Sequence, residues 1–597
     1  MNRVSSATGF YERDLNNTLV FASQDRIPAL PLLFATILVI VGQTGCRRAA
    51  PSRASDSVSE EARRAAEALP QRVAPALPPL LPPPEAVARS AGAHSGGAVK
   101  VHLDSEPLQL NPLGEADAAA LQVVMGLVYE PLLECPSPGQ AAGASGGDRP
   151  NYGPNYRPML AEGWQVSPDG LRVTLYLRGG VKWHDGHAFN VLDVQASLEP
   201  LLLAASSGSA TLRASLQDVA SIELTGDRQV RLVLKRPSDF ALRALCDIAI
   251  LPDHLLRGPT ADPAALARQP VGTGPFRFVA WERGKRIRLA RAAGYWGGPA
   301  PLDEITFEID LDGARALMRT RRGEIDVLPR VLPVHYPDEV DPVTLHGALS
   351  LVRLRPERWA YVAVNHRRAP LDEAHFRRAL SALWDRERFA RDLHQGLAHP
   401  IGAPPFAGLA AAPAGRDRAA TEMDAGGYRD SNADGVRDIA GTPFRETLLI
   451  GAGARSAATE AQAFVFEARK AGLLIDPVVI DPAVLLARVR KGDFDLALMQ
   501  WEGRPDEDPS SLFGATGAFN FGAYRSAQVE ALLDSIRVAS GPAARAPLLA
   551  TLGGILAREQ PLLFLYQFDV PALVATRLHG VATVAGHLDL RRAWVEP

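Results

Sequence analysis

Val271-Gly272-Thr273-Gly274-Pro275-Phe276 opens the stretch that decides the fold. It is too rich in glycine to continue a helix. Beyond it, residues 286–290 and 305–309 read as strands and residues 313–320 as a helix. The aromatic turn Tyr295-Trp296-Gly297-Gly298 lies between the strands, and Gly323-Glu324-Ile325-Asp326 follows the helix. The glycines read as serving backbone geometry rather than phosphate binding. Upstream residues read as one lobe under construction, and downstream residues as a second lobe inserted and then left.

Working back from that stretch, Ala98-Val99-Lys100-Val101-His102-Leu103 alternates like an opening strand. Residues 118–133 read as an apolar helix with Leu121, Val124, Met125 and Val128 on one face. Two runs flanking Ser167-Pro168-Asp169-Gly170 form a predicted hairpin, and residues 221–224 and 229–234 form another. Asn190 can cap a helix whose third residue is Asp193 and whose buried stripe is Val191, Val194, Leu198 and Leu201. Cys135 and Cys246 both fall in this lobe and are either a disulfide or two separate buried thiols.

Five segments occur in a fixed order: Arg157-Pro158-Met159-Leu160-Ala161-Glu162-Gly163-Trp164, Gly180-Val181-Lys182-Trp183-His184-Asp185-Gly186, the 271–276 run, Tyr295-Trp296-Gly297-Gly298 and Gly323-Glu324-Ile325-Asp326. Together they closely resemble the bacterial extracellular solute-binding protein family 5, the dipeptide- and oligopeptide-binding proteins of ABC importers. The resemblance runs from about residue 98 to residue 597. It implies an α/β, two-lobed periplasmic-binding-protein-like fold of the class II type. Mixed sheets with flanking helices would build a discontinuous first lobe. The expected division is signal peptide 1–46, tether 47–97, first lobe 98–328, second lobe 329–500 and a return segment of the first lobe, 501–597. Trp359-Ala360-Tyr361-Val362-Ala363-Val364-Asn365 resembles the strand entering the second lobe. Residues 376–386 resemble its characteristic helix, with Phe376, Leu380 and Leu383 as core stripe. Asp385 and Asp481 are predicted caps, and Phe494-Asp495-Leu496-Ala497-Leu498-Met499-Gln500-Trp501 is the strand expected to cross back.

With 597 residues the chain exceeds a single core. A net charge of −3 makes no case for nucleic acid as a partner. Residues 27–41 are an apolar run shorter than the roughly 20 residues of a membrane span, which suits an export signal. Gln43-Thr44-Gly45-Cys46 resembles a lipoprotein cleavage box, in which Cys46 would take a lipid anchor. A simply cleaved signal and an uncleaved anchor stay open, as does the true translation start. All three readings put the body in the periplasm or at the cell surface. Residues 47–97, with Leu77-Pro78-Pro79-Leu80-Leu81-Pro82-Pro83-Pro84, read as an extended spacer.

The ligand is expected between hinged lobes. The resemblance implies an aspartate after the hinge-strand tryptophan that pairs with a peptide's amino terminus. Here the segment reads Trp501-Glu502-Gly503-Arg504-Pro505-Asp506-Glu507-Asp508-Pro509. The family's aspartate falls on Arg504 or Pro505, and Asp506 lies one place away. Trp501, Arg504 and Asp506 are therefore the candidate ligand contacts, with Trp501 alternatively packing the hinge. Residues 430–438 begin like a calcium loop, but the twelfth position is Gly441 rather than a glutamate, so an acidic turn is the reading preferred and no metal or cofactor is expected. Ser145 lacks the strand and helix of a nucleophile elbow, and His184-Asp185 lacks a nucleophile, so no enzyme is expected. The function read from these features is capture of a small solute, a peptide first, by a monomer that delivers it to an ABC permease in the inner membrane. The alternative is a surface lipoprotein, sensor or scaffold, that kept the fold without the peptide site.

Overall fold

The computed structural model describes Pro78 and residues 95–114, 116–135, 156–203, 209–257, 261–341, 343–356, 358–439, 441–452, 455–502, 508–539, 541–584 and 587–596. The apolar run, Cys46, most of the spacer and the Ser145 loop lie outside the described residues.

The stretch around Val271 takes its shape from a carboxylate far away in sequence. Glu130 is fully buried. Its Oε1 accepts from Tyr295 Oη (2.6 Å), and its Oε2 accepts from Trp296 Nε1 (2.8 Å) and Thr273 Oγ1 (2.9 Å). Three donors thus tie the 271–276 run and the aromatic turn to one point. Burial pushes the Glu130 carboxyl up, against the pull of those hydrogen bonds.

The two glycines of the run answer a steric demand. A Cβ on Gly272 would stand 1.8 Å from Val128 O, and one on Gly274 would stand 2.4 Å from Leu127 O. That approach lets Gly274 N and Phe276 N donate to Val128 O and Leu127 O, both at 2.9 Å. Gly272 N also donates to Nδ1 of His184 (3.2 Å), while His184 Nε2 meets Gly274 O at 2.9 Å. With Nδ1 accepting, the proton sits on Nε2, and the ring is a neutral clamp on the glycine run. Gly272→Ala is expected to cost about 2–3 kcal/mol by overpacking. A lowered urea midpoint at unchanged m-value would register it.

Phe276–Glu282, Arg286–Arg291 and Glu304–Ile309 pair as successive antiparallel strands. They form one end of a seven-stranded sheet. Ala98–Leu103 lies parallel to Glu304–Ile309 and to Val327–Leu328, and Val570–Ala575 and Leu349–Leu354 complete the order. A separate four-stranded antiparallel sheet, Ala161–Val166, Arg172–Leu177, Gln229–Leu234 and Val219–Gly226, carries its own core. Both predicted hairpins are in it. Cys135 and Cys246, beside this core, form a disulfide with a Cα–Cα distance of 5.7 Å.

The other lobe is a six-stranded sheet in the order Ala398–Pro400, Leu562–Phe568, Arg358–Val364, Leu496–Glu502, Arg445–Gly451, Leu474–Ile480. It is buried on both faces, which is why its strands read as nearly continuous apolar runs. Along Arg358–Val364, Ala360, Val362 and Val364 enter one core, and Trp359, Tyr361 and Ala363 enter the other. The predicted caps are in place: Asp385 accepts from Arg388 N, Asp481 from Ala483 N and Val484 N, and Asn190 forms a capping box with Asp193.

Two expectations need correction. The helix from residue 118 stops at Val124, because Met125 is extended and Gly126 follows at φ 74°, leaving Leu121 exposed. The boundaries of the second lobe also move. Strand Leu349–Leu354 still pairs in the first sheet, and Leu562–Phe568 pairs in the second, with helices Ala527–Val538 and Gly541–Glu559. The chain passes between the sheets after Leu354 and at Asp569, not near Leu328 and Trp501. Asp569 alone separates two apolar strands, so no change of composition marks the second crossing.

Candidate functional site

The first sheet presents the carboxyl ends of Ala98–Leu103, Val327–Leu328 and Leu349–Leu354 where the chain crosses to the second. The second presents the carboxyl end of Leu496–Glu502 beside the start of Arg358–Val364. Ligands of open α/β sheets bind outside such ends, because loops there are free to carry side chains chosen for the ligand.

A buried acid fastens the two crossings together. The Asp569 side chain is wholly buried. It pairs with Arg353 and, through both oxygens, with Arg355, Nε to Oδ1 at 2.6 Å and Nη2 to Oδ2 at 3.0 Å. His399 Nε2 lies 2.8 Å from Oδ2. Burial would raise the Asp569 carboxyl, but His399 and Arg355 outweigh it and hold it well below the usual range. Pro78 of the spacer is buried here, its carbonyl accepting from Arg353 Nε at 2.7 Å.

At the rim of the second sheet Arg358 stands in register with Glu502, and Trp359 with Trp501. Alternation places the first pair on one face and the second on the other. Trp359 is buried, while Trp501 is half-buried with its ring edge-on to Phe519 at 5.0 Å. Arg358 is half-buried, and its Nε is enclosed with no hydrogen-bond partner. Burial pulls this guanidinium below its ordinary value, the charge of Glu502 opposes that, and Arg330 from the first lobe adds to it. A guanidinium with an unmet donor is suited to receive a carboxylate.

The lobes meet again through α-helical arginines. Arg537, nearly fully buried, donates to Asp508 at 3.0 Å and lies 3.3 Å from Asp218. Gln217 Nε2 donates to Asp508 at 2.9 Å, and Arg545 pairs with Asp239. Each of these five charges therefore has a partner, as desolvation requires.

Of the predicted contacts, Trp501 lies at this rim. Arg504 and Asp506 fall in residues 503–507, outside the described residues. The residues missed in sequence are Arg358 and Asp569; an arginine opening an apolar strand was the one available signal for the former. His184 and Asp185 do not act on one another as a dyad, since His184 is clamped to the glycine run and Asp185 bonds to His187 and His254. In the acidic loop Asp430 accepts from Asp434 N and Gly435 N, Asp434 from Val436 N, and Asp438 from Ser431 N. Those carboxylates serve the turn's own backbone. Among the described residues, no helix is long and apolar enough to cross a membrane.

The family model described as "Bacterial extracellular solute-binding proteins, family 5 Middle" matches residues 155–523. The chain belongs to this family. Among family 5 relatives, the dipeptide-binding protein of Escherichia coli (strain K12) is 28% identical over 262 residues, 40% of this chain and 48% of the relative. That alignment thus spans about half of the relative's length. The oligopeptide-binding protein AppA of Bacillus subtilis (strain 168) is 25% identical over 439 residues, 69% of this chain and 78% of AppA. The solved structure of AppA from Bacillus subtilis with a nonapeptide superposes with a TM-score of 0.68 at 22% identity, covering 85% of this chain and 100% of that one. The family 5 fold is two-lobed and mixed α/β, in line with the two sheets described above. These relatives are binding proteins.

Proposed function

We propose that this protein captures a peptide between its two lobes outside the cytoplasm and delivers it to an ABC permease in the inner membrane. The carrying observation is Arg358, a half-buried cation with an enclosed, unpartnered Nε at the carboxyl rim of the second sheet. In this reading it receives the ligand's terminal carboxylate, with Arg330 adding field from the other lobe. Trp501 and Phe519 form an apolar wall for side chains, and Arg504 and Asp506 are further ligand contacts in this reading. The peptide named for AppA and the dipeptide named for the Escherichia coli relative support the ligand class. No catalytic step is required. Export is supported by the Cys135–Cys246 disulfide, since such bonds persist in oxidising compartments. Lipidation at Cys46 would hold the monomer at the membrane, with residues 47–97 as tether.

The test pairs a variant with a modified ligand. Arg358→Ala is expected to weaken binding of a free-acid peptide by about 10–100-fold, the loss of a charge-assisted bond worth about 1.5–3 kcal/mol. Amidating the peptide's carboxyl terminus should weaken wild-type binding similarly and leave the variant unchanged. Titration calorimetry reads both. Equal affinity of wild type for acid and amide would remove Arg358 from this role. A protein that binds none of a panel of peptides, sugars, amino acids and metal chelates would instead be the sensor or scaffold that kept only the fold.

A further inference from the structure

A cluster of two histidines and an aspartate stands on the first lobe, at the turn that carries His184. Asp185 and His187 sit on the hairpin turn of residues 182–188, and His254 sits on the short helix Asp253–Leu256. One ligand atom from each of Asp185, His187 and His254 lies within 4.8 Å of the other two. His187 Nδ1 is 3.1 Å from Asp185 Oδ1, and His254 Nε2 is 2.7 Å from Oδ2. The two imidazoles stack with centroids 4.0 Å apart and planes 23° from parallel. Their nitrogens therefore address opposite oxygens of one carboxylate.

We propose that Asp185, His187 and His254 bind a divalent transition-metal ion of the zinc class. Two imidazole nitrogens and one carboxylate oxygen are a donor set such ions favour over magnesium or calcium. Metal–ligand bonds of about 2.0–2.2 Å in a tetrahedron separate neighbouring ligand atoms by about 3.3 Å. The present spacings reach that arrangement by small rotations of side chains that are at least a quarter exposed. Water would fill the remaining position, as in open three-ligand sites.

The backbone beneath the ligands is fixed. Trp183 N donates to His187 O and Gly186 N to Trp183 O, both at 2.8 Å, which closes the turn. Buried Asp193 then joins the two ligand-bearing segments. Its Oδ2 accepts from Trp183 Nε1 (3.1 Å) and Asn190 N (2.8 Å), and its Oδ1 accepts from Asp253 N (2.8 Å). Asp193 thus supports the site from below without touching the ion. All three ligands belong to one lobe, so the ion acts as a staple between the turn and the helix and is independent of peptide capture.

The test is calorimetric titration of the full-length protein with zinc(II) at neutral pH, with a thermal-unfolding readout. One ion is expected to bind with affinity on the order of micromolar and to raise the melting temperature. His187 is 62% exposed, so His187→Ala should fold normally. That variant is expected to weaken zinc binding at least tenfold while leaving peptide affinity unchanged. His254→Gln should do the same. Absence of zinc binding, or binding that survives His187→Ala and His254→Gln, would overturn the proposal.

Discussion

Asp569→Ala is expected to destabilise the protein by about 3–5 kcal/mol, because it leaves Arg353 and Arg355 as cations without their shared buried partner. The position is the second crossing between the sheets, so the loss bears on how the lobes are joined as well as on stability. Asp569→Asn should cost less, since the amide keeps one acceptor. The wild type carries a matching acid sensitivity. The folded-state value lies well below that of an unfolded aspartate, about 3.9. The stabilisation is therefore fully present above that unfolded value and is lost as pH falls below it. Chemical denaturation at neutral pH and near pH 3 should show the gap between wild type and Asp569→Asn narrowing in acid. A gap of constant size would mean that the charge on Asp569 does not carry the effect.

Glu130→Ala is expected to cost about 3–5 kcal/mol, since Tyr295, Trp296 and Thr273 each lose their acceptor in a buried site. Glu130→Gln should be milder, because one oxygen remains. The pH signature is opposite to that of Asp569. Burial raises the folded-state value of Glu130 above that of an unfolded glutamate, about 4.3. Its contribution is complete below that unfolded value and declines as pH rises through the folded one. Wild type should thus lose ground relative to Glu130→Gln as pH rises from 4, measured by denaturant midpoints across the series. Near-ultraviolet circular dichroism should report the release of Tyr295 and Trp296 in Glu130→Ala.

These two residues also mark the limit of what the sequence conveys. The strands of the 271–326 stretch, the hairpin across Ser167-Pro168-Asp169-Gly170 and the caps at Asn190, Asp385 and Asp481 were legible, because period-two alternation and side-chain capping are local. Glu130 was not, because a carboxylate inside an apolar run pairs with donors more than a hundred residues away. The glycines at 272 and 274 read as backbone devices from sequence. What they accommodate, the carbonyls of Val128 and Leu127, is a tertiary fact. The crossing at Asp569 is not legible, because Leu562–Phe568 and Val570–Ala575 are both apolar strands one residue apart, and pattern cannot say which sheet each joins. At the ligand rim Trp501 was found through the motif it closes. Arg358 was not, since an arginine at a strand's start is ordinary until its Nε is seen enclosed without a partner. The histidines at 187 and 254 lie too far apart in sequence to suggest a common site.

Closure of the two lobes on a peptide can be followed by titrating ligand-stripped protein with defined di- to nonapeptides and recording both heat and the radius of gyration in solution. The expected result is saturable one-to-one binding, a smaller radius in the bound state, and stabilisation of about 2.7 kcal/mol when peptide stands at a hundred times its dissociation constant. Peptides that produce neither heat nor compaction at millimolar concentration would contradict it.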